Sequence, residues 1–164
     1  MLACLDVDYR DDVTVAACVL FRDWADRVEA SHVVDRGPPA APYEPGQFYR
    51  RELPHLLRVL SAVKKPLEAL IVDGYVWLGE DKPGLGAHLH EALSRTVPVI
   101  GVAKTAYVTT GPALPVLRGQ SLRPLFVTAV GLGTETAAEY VRRMHGPSRI
   151  PTLLNRVDRL CRES

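Results

Sequence analysis

Residues 2–21, LACLDVDYRDDVTVAACVLF, decide the fold of this chain. The first eight alternate between apolar and polar side chains, RDD turns the chain, and VTVAACVLF is β-branched and apolar. This pattern predicts two strands joined by a short turn. A third alternating stretch follows closely at residues 27–35. Because a parallel pair needs a crossover of about a dozen residues or more, we expect these three strands to form an antiparallel meander.

After a proline-rich loop, RGPPAAPYEPG, the pattern changes to helices and buried strands. Residues 47–63 have apolar side chains at helical spacing, and Pro54 is expected to kink that helix or to begin a second one. The apolar runs 67–74 and 97–104 flank a helical pattern at 84–95. This arrangement is typical of a right-handed βαβ unit with two parallel, buried strands.

The remaining residues predict two strands and two helices, in the order strand 114–118, strand 125–130, helix 134–145 and helix 151–162. Three antiparallel strands, a helix, a βαβ unit and trailing helices are the element order of a ribonuclease H-like fold. We therefore predict an α/β protein with a mixed sheet, in which three antiparallel strands are followed by parallel strands and helices flank the sheet. Without repeats or a linker, residues 1–164 are expected to form a single domain.

The composition is that of an ordinary globular chain, with 47% hydrophobic and 24% charged residues. The net charge of +1 excludes a global basic field, so a nucleic-acid partner would have to meet a local patch. Cys4 and Cys18 could face each other across a hairpin, but we interpret these two and Cys161 as small buried hydrophobes. Neither a signal peptide nor a long apolar window is recognisable, so we expect a cytoplasmic chain without membrane contact.

Four acidic residues occupy positions at which this fold brings side chains together. Asp6 lies in the middle of the first strand, and Asp73 ends a buried strand; Glu52 and Asp158 lie on the first and last helices. A cluster of carboxylates repels itself unless divalent cations neutralise it, and oxygen ligands suit Mg²⁺ or Mn²⁺. Taken singly, Asp73 could also be a turn former, and Asp158 could lie on a solvated helix face.

Six blocks, in order and covering nearly the whole chain, resemble the endonuclease V family, nucleases that cut nucleic acid beside inosine. The blocks are CLDVDY (4–9), PYEPGQFYRRELP (42–54), LIVDG with GLGAHL (70–74 and 84–89), VPVIGVAK (97–104), RPLFVTAVG (123–131) and RIPTLLNRVD (149–158). Each block alone is a weak signal, whereas the ordered set is specific.

The resemblance implies a divalent-metal-dependent endonuclease acting on inosine-containing DNA or RNA; separately, we expect a monomer. It would hydrolyse the second phosphodiester bond 3′ of the inosine. Asp6, Asp73 and Glu52 are implied as ligands of Mg²⁺ (or Mn²⁺), with Glu52 orienting metal-bound water. Lys104 would stabilise charge near the scissile phosphate, and Asp158 would complete the acidic cluster. A lysine at the end of a strand can also simply extend into solvent.

The resemblance also implies substrate-binding residues. Tyr43, on a loop stiffened by prolines, would be a wedge that enters the nucleic acid at the lesion. The displaced hypoxanthine would turn into a pocket lined by backbone at Gly46, Gly74 and Gly101, with Phe48 nearby. Alternatively, the Tyr43 ring packs on its own prolines, and the glycines serve tight turns and sheet packing.

Several positions depart from the family pattern. Gly79 and Leu132 stand where the family has histidines, and Thr152 and Asn155 stand where it has glutamate and arginine. His88 matches a family histidine that we interpret as helix packing. Two alternatives therefore stay open: a catalytically weakened or inactive relative that binds deaminated or structured nucleic acid, and a ribonuclease H-like nuclease that acts on junctions or flaps.

Overall fold

The structure is a computed structural model that describes residues 1–107 and 111–164. Within these ranges the helices are α1 (Tyr49–Ser61), α2 (Leu85–Ala92), α3 (Thr134–Arg143) and α4 (Thr152–Glu163). The strands of the main sheet are β1 (Leu2–Tyr9), β2 (Thr14–Phe21), β3 (Ser31–Gly37), β4 (Ala69–Asp73), β7 (Val99–Ala103), β8 (Leu114–Val116) and β9 (Leu125–Val130); between β4 and α2 lie the short strands β5 (Trp77–Gly79) and β6 (Lys82–Pro83).

The main sheet has the strand order β3-β2-β1-β4-β7-β9-β8. The first three strands pair antiparallel, which confirms the predicted meander. β4 pairs parallel with β1 and with β7, which confirms the predicted βαβ unit. β9 runs antiparallel to β7, and β8 antiparallel to β9. The predicted fold class, a ribonuclease H-like α/β arrangement with a mixed sheet, is therefore the observed one.

The sheet separates two apolar cores because successive side chains of a strand point to opposite faces. Cys4, Ile71 and Val102 belong to the core beneath α3 and α4. Leu5 and Val72 belong to the other core, which α1 and α2 cover. The face on which a strand residue projects can therefore be read from its neighbours two positions away.

Two local features differ from the sequence prediction or sharpen it. The β5–β6 pair forms a small hairpin that was not predicted, because strands of two or three residues show no measurable period. Asp81 in its turn has φ 54°, a left-handed conformation. Helix α1 runs through Pro54 as one element, so a second helix does not begin there.

Cys4, Cys18 and Cys161 are buried and free, as predicted. Cys4 lies opposite Val19 and Leu5 lies opposite Cys18, so the two cysteines of the hairpin are not directly paired. In the described part of the chain, none of the helices has the length and apolar character that spanning a bilayer requires.

We expect Gly101→Ala to destabilise the protein, because strand β7 approaches the segment after β4 too closely for a side chain. A Cβ at Gly101 would lie 2.5 Å from the Gly74 carbonyl oxygen, and 2.8 Å from both the Val76 nitrogen and the Thr128 hydroxyl. Overpacking of this kind typically costs about 1–3 kcal/mol of unfolding free energy. Urea denaturation of the variant and the parent protein measures the difference.

Gly111→Ala is the matched control, since a Cβ there would make only ordinary contacts, the nearest at 3.5 Å. Its expected effect is below about 0.5 kcal/mol. Equal unfolding free energies for the two variants would contradict the packing role assigned to Gly101.

Candidate active site

The register of the parallel strands brings three charged residues to one edge of the sheet. Leu5 pairs with Val72, so Asp6 is level with Asp73 one step further along both strands. Asp73 in turn pairs with Val102 on β7, and Lys104 follows that residue by two positions. Asp6, Asp73 and Lys104 each follow a residue of the core beneath α3 and α4 by two positions. Because side chains two apart on a strand share a face, all three project toward α4.

Asp73 and Lys104 form an ion pair, with 2.9 Å between Oδ2 and Nζ. Each side chain is close to half exposed. Burial lowers the pKa of Lys104, but Asp73, Asp6 and Asp158 raise it, and the net shift is upward. The lysine therefore stays protonated and supplies the positive charge of an otherwise acidic site.

Asp6 is the more enclosed carboxylate, and its Oδ1 accepts a hydrogen bond from the Val7 amide at 2.9 Å. Burial, together with the neighbouring carboxylates of Asp73 and Asp158, raises the pKa of Asp6 to about 7. The anionic form of a carboxyl group in this position is destabilised unless a cation lies beside it.

Glu52 reaches the site from the opposite side, on the first turn of α1. Burial and the charges of Asp6 and Asp73 raise the pKa of Glu52 to about 8. The Tyr9 hydroxyl beside it is buried and has no hydrogen-bond partner of normal geometry among the described residues. The Arg51 guanidinium lies over the Tyr9 ring, 4.6 Å from its centroid. Tyr9 and Arg51 thus contact each other and lie next to Glu52.

Asp158 joins the site from α4 but is already paired. Both oxygens of its carboxylate accept hydrogen bonds from Arg162, one turn further along the same helix. Asp158, Asn155, Asp6, Asp73 and Lys104 line a small cavity of about 30 Å³, which has room for a water-sized group. Asp158 therefore lines the same cavity as Asp6 and Asp73 and is already paired with Arg162.

A larger cavity of about 490 Å³ adjoins the ion pair. Asp73 and Lys104 line both cavities, so this pair is the wall that they share. Glu52 lines only the larger one. Its volume lies in the range of small-molecule binding sites, and it adjoins a group of acidic residues.

The predicted substrate-binding residues divide into two sets. Tyr43, Gly46, Phe48 and Gly74 line the larger cavity. Tyr43 is 61% exposed, so much of its surface is accessible to a partner. Gly46 and Gly74 have φ of 77° and 131°, which only glycine adopts without strain. Gly101 is buried and lines neither described cavity, since the backbone at Gly74 fills the space beside it.

No histidine lines either cavity in the part of the chain that the structure describes. Gly79 is buried in the hairpin, and Leu132 packs against the core beneath α3 and α4. The His88 ring stacks on Tyr49, with centroids 3.5 Å apart, which agrees with its predicted packing role. His145 contacts the hydroxyl of Thr152 at 2.9 Å. The two histidines that the family pattern would supply are thus not replaced from elsewhere in these ranges.

Sequence reasoning missed the aromatic residues beside Lys104. Tyr75 and Tyr107 line the larger cavity. The Tyr75 hydroxyl donates to the Thr105 carbonyl at 2.7 Å and accepts from the Tyr107 amide at 3.0 Å. Neither tyrosine lies in a periodic element, so no pattern in the sequence pointed to them.

The donor types at the site fit Mg²⁺ or Mn²⁺, since Asp6, Asp73 and Glu52 offer only carboxylate oxygens. Burial and neighbouring carboxylates raise the pKa of both Asp6 and Glu52, and a cation placed between such groups would stabilise their charged forms. Among residues 1–107 and 111–164, however, no three acidic, histidine or cysteine side chains already converge as a ligand group. Lys104 is the cation that Asp73 contacts.

Comparisons with known proteins bear on this arrangement. The endonuclease V family model matches residues 1–134. Endonuclease V of Streptomyces avermitilis is 31% identical over 96% of this chain and 76% of its own length. That of Geotalea uraniireducens is 34% identical over 99% of this chain and 76% of its own length.

Solved structures agree with these matches. The crystal structure of the Streptomyces avermitilis endonuclease V superimposes with a TM-score of 0.79 at 29% identity, covering 99% of this chain and 79% of that one. Ciona intestinalis endonuclease V, in complex with a 24mer DNA that contains an inosine followed by a ribo-adenosine, shares the fold with a TM-score of 0.82 at 21% identity; 99% of this chain and 84% of that one are covered. This chain belongs to the endonuclease V family.

Proposed function

We propose that this chain is a divalent-metal-dependent endonuclease that hydrolyses a phosphodiester bond 3′ of inosine in DNA or RNA. The observation that carries the proposal is the Asp73–Lys104 pair, which lies between an acidic cavity and a larger cavity bordered by Tyr43. The site of phosphodiester hydrolysis and the site of base recognition would then adjoin each other at Asp73 and Lys104. The inosine-containing DNA bound to the Ciona intestinalis protein of the same fold supports the choice of substrate.

The larger cavity would receive the displaced base. Unstacking a base costs a few kcal/mol, and less when the base is mispaired, as inosine often is. Tyr43 projects from the loop before α1 and could fill the space that the base leaves in the stack. Gly46 and Gly74 would let the edge of the base approach main-chain donors and acceptors, because neither has a side chain in the way.

The acidic residues would hold the metal. Asp6, Asp73 and Glu52 are the proposed ligands, and a bound divalent cation would supply an activated water and charge neutralisation at the leaving oxygen. The water oxygen bonds to phosphorus and the P–O3′ bond breaks, leaving a 3′-hydroxyl and a 5′-phosphate. Lys104, protonated beside Asp73, would donate a hydrogen bond to a phosphate oxygen as negative charge develops.

A second candidate is a relative that binds the lesion and cuts slowly or not at all. The observation in its favour is that Gly79 is buried and Leu132 packs against the core, and neither has a side chain that can donate a proton or a hydrogen bond to phosphate. Losing a general acid–base or oxyanion contact typically lowers a rate by about 10²–10⁴-fold. The two candidates differ in turnover and agree in lesion-selective binding.

Strand cleavage tests the proposed function. End-labelled DNA and RNA oligonucleotides with one inosine are incubated in Mg²⁺ and then in Mn²⁺, beside matched strands with adenine. We expect cleavage one nucleotide beyond the inosine. Asp73→Asn should lower the rate by at least about 10²-fold, because it removes a metal-binding charge next to Lys104.

Arg95→Gln serves as the control variant, since in residues 1–107 and 111–164 the exposed Arg95 side chain, after α2, forms an ion pair only with Glu91. Its rate should match that of the parent protein. Cleavage that ignores inosine, or that survives Asp73→Asn unchanged, contradicts the proposal. No cleavage combined with tighter binding to inosine strands identifies the binding-only candidate.

Tyr43→Ala should weaken selectivity for inosine. Base–aromatic stacking is worth about 1–3 kcal/mol, so the ratio of affinities for inosine and adenine strands should fall by about 5–150-fold. Fluorescence anisotropy with the non-cleaving Asp73→Asn background measures this ratio. Tyr43→Phe keeps the ring and should keep the selectivity. An unchanged ratio in Tyr43→Ala would exclude the wedge role.

A further inference from the structure

The Arg149 side chain binds backbone carbonyls next to two neighbouring strands, β7 and β9, at the edge of the sheet where Lys104 lies. Its Nε donates to the Arg123 carbonyl at 3.0 Å, and its Nη2 donates to the Pro124 carbonyl at 2.8 Å and to the Lys104 carbonyl. It thereby joins the residue after β7 to the segment that enters β9. In the described residues, no carboxylate lies within ion-pair distance of Arg149.

The segment that bears Arg149 is itself held in place by Arg118. Arg118 is only 6% exposed as a residue, and its guanidinium donates to the carbonyls of Ser148 and Arg149, at 2.9 and 3.2 Å. It also donates to the carbonyls of Met144 and Gly146. A buried cation with four carbonyl acceptors fixes the connection between α3 and α4, so Arg149 extends from a rigid support.

Lys104 is consequently held at both of its ends. Its ammonium group contacts Asp73 at 2.9 Å, and its carbonyl accepts a hydrogen bond from Arg149. On the other side of the same segment, the Tyr75 hydroxyl binds the Thr105 carbonyl. A flexible lysine side chain can be placed accurately only if its backbone is fixed first.

We propose that Arg149 is a positioning residue for Lys104: by binding the Lys104 carbonyl, it places the ammonium group for the scissile phosphate. This inference rests on the proposed function, in which Lys104 stabilises developing charge. The Nε and Nη2 donors of Arg149 are directed at main-chain oxygens, so the proposed role acts through the backbone of Lys104. Arg149 is the first residue of the RIPTLLNRVD block, but nothing in the sequence indicates that its side chain binds the Lys104 carbonyl.

A double-mutant cycle tests the proposal. Single-turnover cleavage of an inosine strand is measured for the parent protein, Arg149→Gln, Lys104→Ala and the double variant, at saturating and subsaturating protein. A displacement of about 1 Å can cost about 10²-fold in rate, so we expect Arg149→Gln to lower the saturating rate by about 10–100-fold while half-saturation moves less than about 2-fold. In the Lys104→Ala background the same change should have no further effect.

Two variants separate positioning from charge and from folding. Arg149→Lys keeps the charge but can reach fewer carbonyls, so its saturating rate should lie between those of the parent protein and Arg149→Gln. Arg95→Gln removes the same charge at a distant exposed position and should cleave like the parent protein. Multiplicative losses in the double variant, or a loss confined to half-saturation, would overturn the proposal.

Amide hydrogen exchange without nucleic acid gives a readout that does not depend on cleavage. Arg149→Gln should speed exchange at residues 105–107, while Arg95→Gln should leave it unchanged. Unchanged exchange in Arg149→Gln would overturn the clamp. If the parent protein cuts no inosine strand, the proposed function fails by itself, and faster exchange in Arg149→Gln would still support the structural half of this inference.

Discussion

The parallel pairing of β1, β4 and β7 is the constraint on which the rest of the structure depends. Parallel strands end at the same edge of a sheet, so side chains at their carboxyl ends lie close together even when they are far apart along the chain. Asp6 and Asp73 are 67 positions apart in numbering, yet the register makes them level with each other. Lys104 then arrives from the next strand with the opposite charge.

That arrangement has an electrostatic cost that explains the local chemistry. Burial and like charge raise the pKa of Asp6 to about 7 and that of Glu52 to about 8, and the nearby cations Lys104 and Arg162 are committed to Asp73 and Asp158. A site of this kind is stabilised by additional positive charge, which favours a divalent cation. The same group of negative charges keeps Lys104 protonated, and Lys104 lines the larger cavity.

The departures from the family pattern affect groups around this centre more than the centre itself. Gly79 is buried in the hairpin, and Leu132 packs against the core beneath α3 and α4. Both positions therefore serve packing. The charged side chains that line the two described cavities are those of Asp6, Glu52, Asp73, Lys104 and Asp158, and tyrosines and glycines contribute to the larger cavity. The residues proposed for base recognition are thus present, whereas the histidines expected for proton transfer are replaced. Turnover and lesion binding therefore have to be measured separately.

The sequence by itself determined the three-stranded meander, the βαβ unit, the trailing helices and the positions of Asp6, Glu52, Asp73 and Lys104, because these depend on periodicity and on ordered motifs. Tertiary structure alone decided that Gly101 packs against backbone, that Asp158 is paired with Arg162, and that Arg149 grips the Lys104 carbonyl. Such contacts join residues whose spacing along the chain has no period. A side chain that binds main-chain oxygens leaves no mark in the sequence of the segment it holds, so only the folded arrangement reveals it.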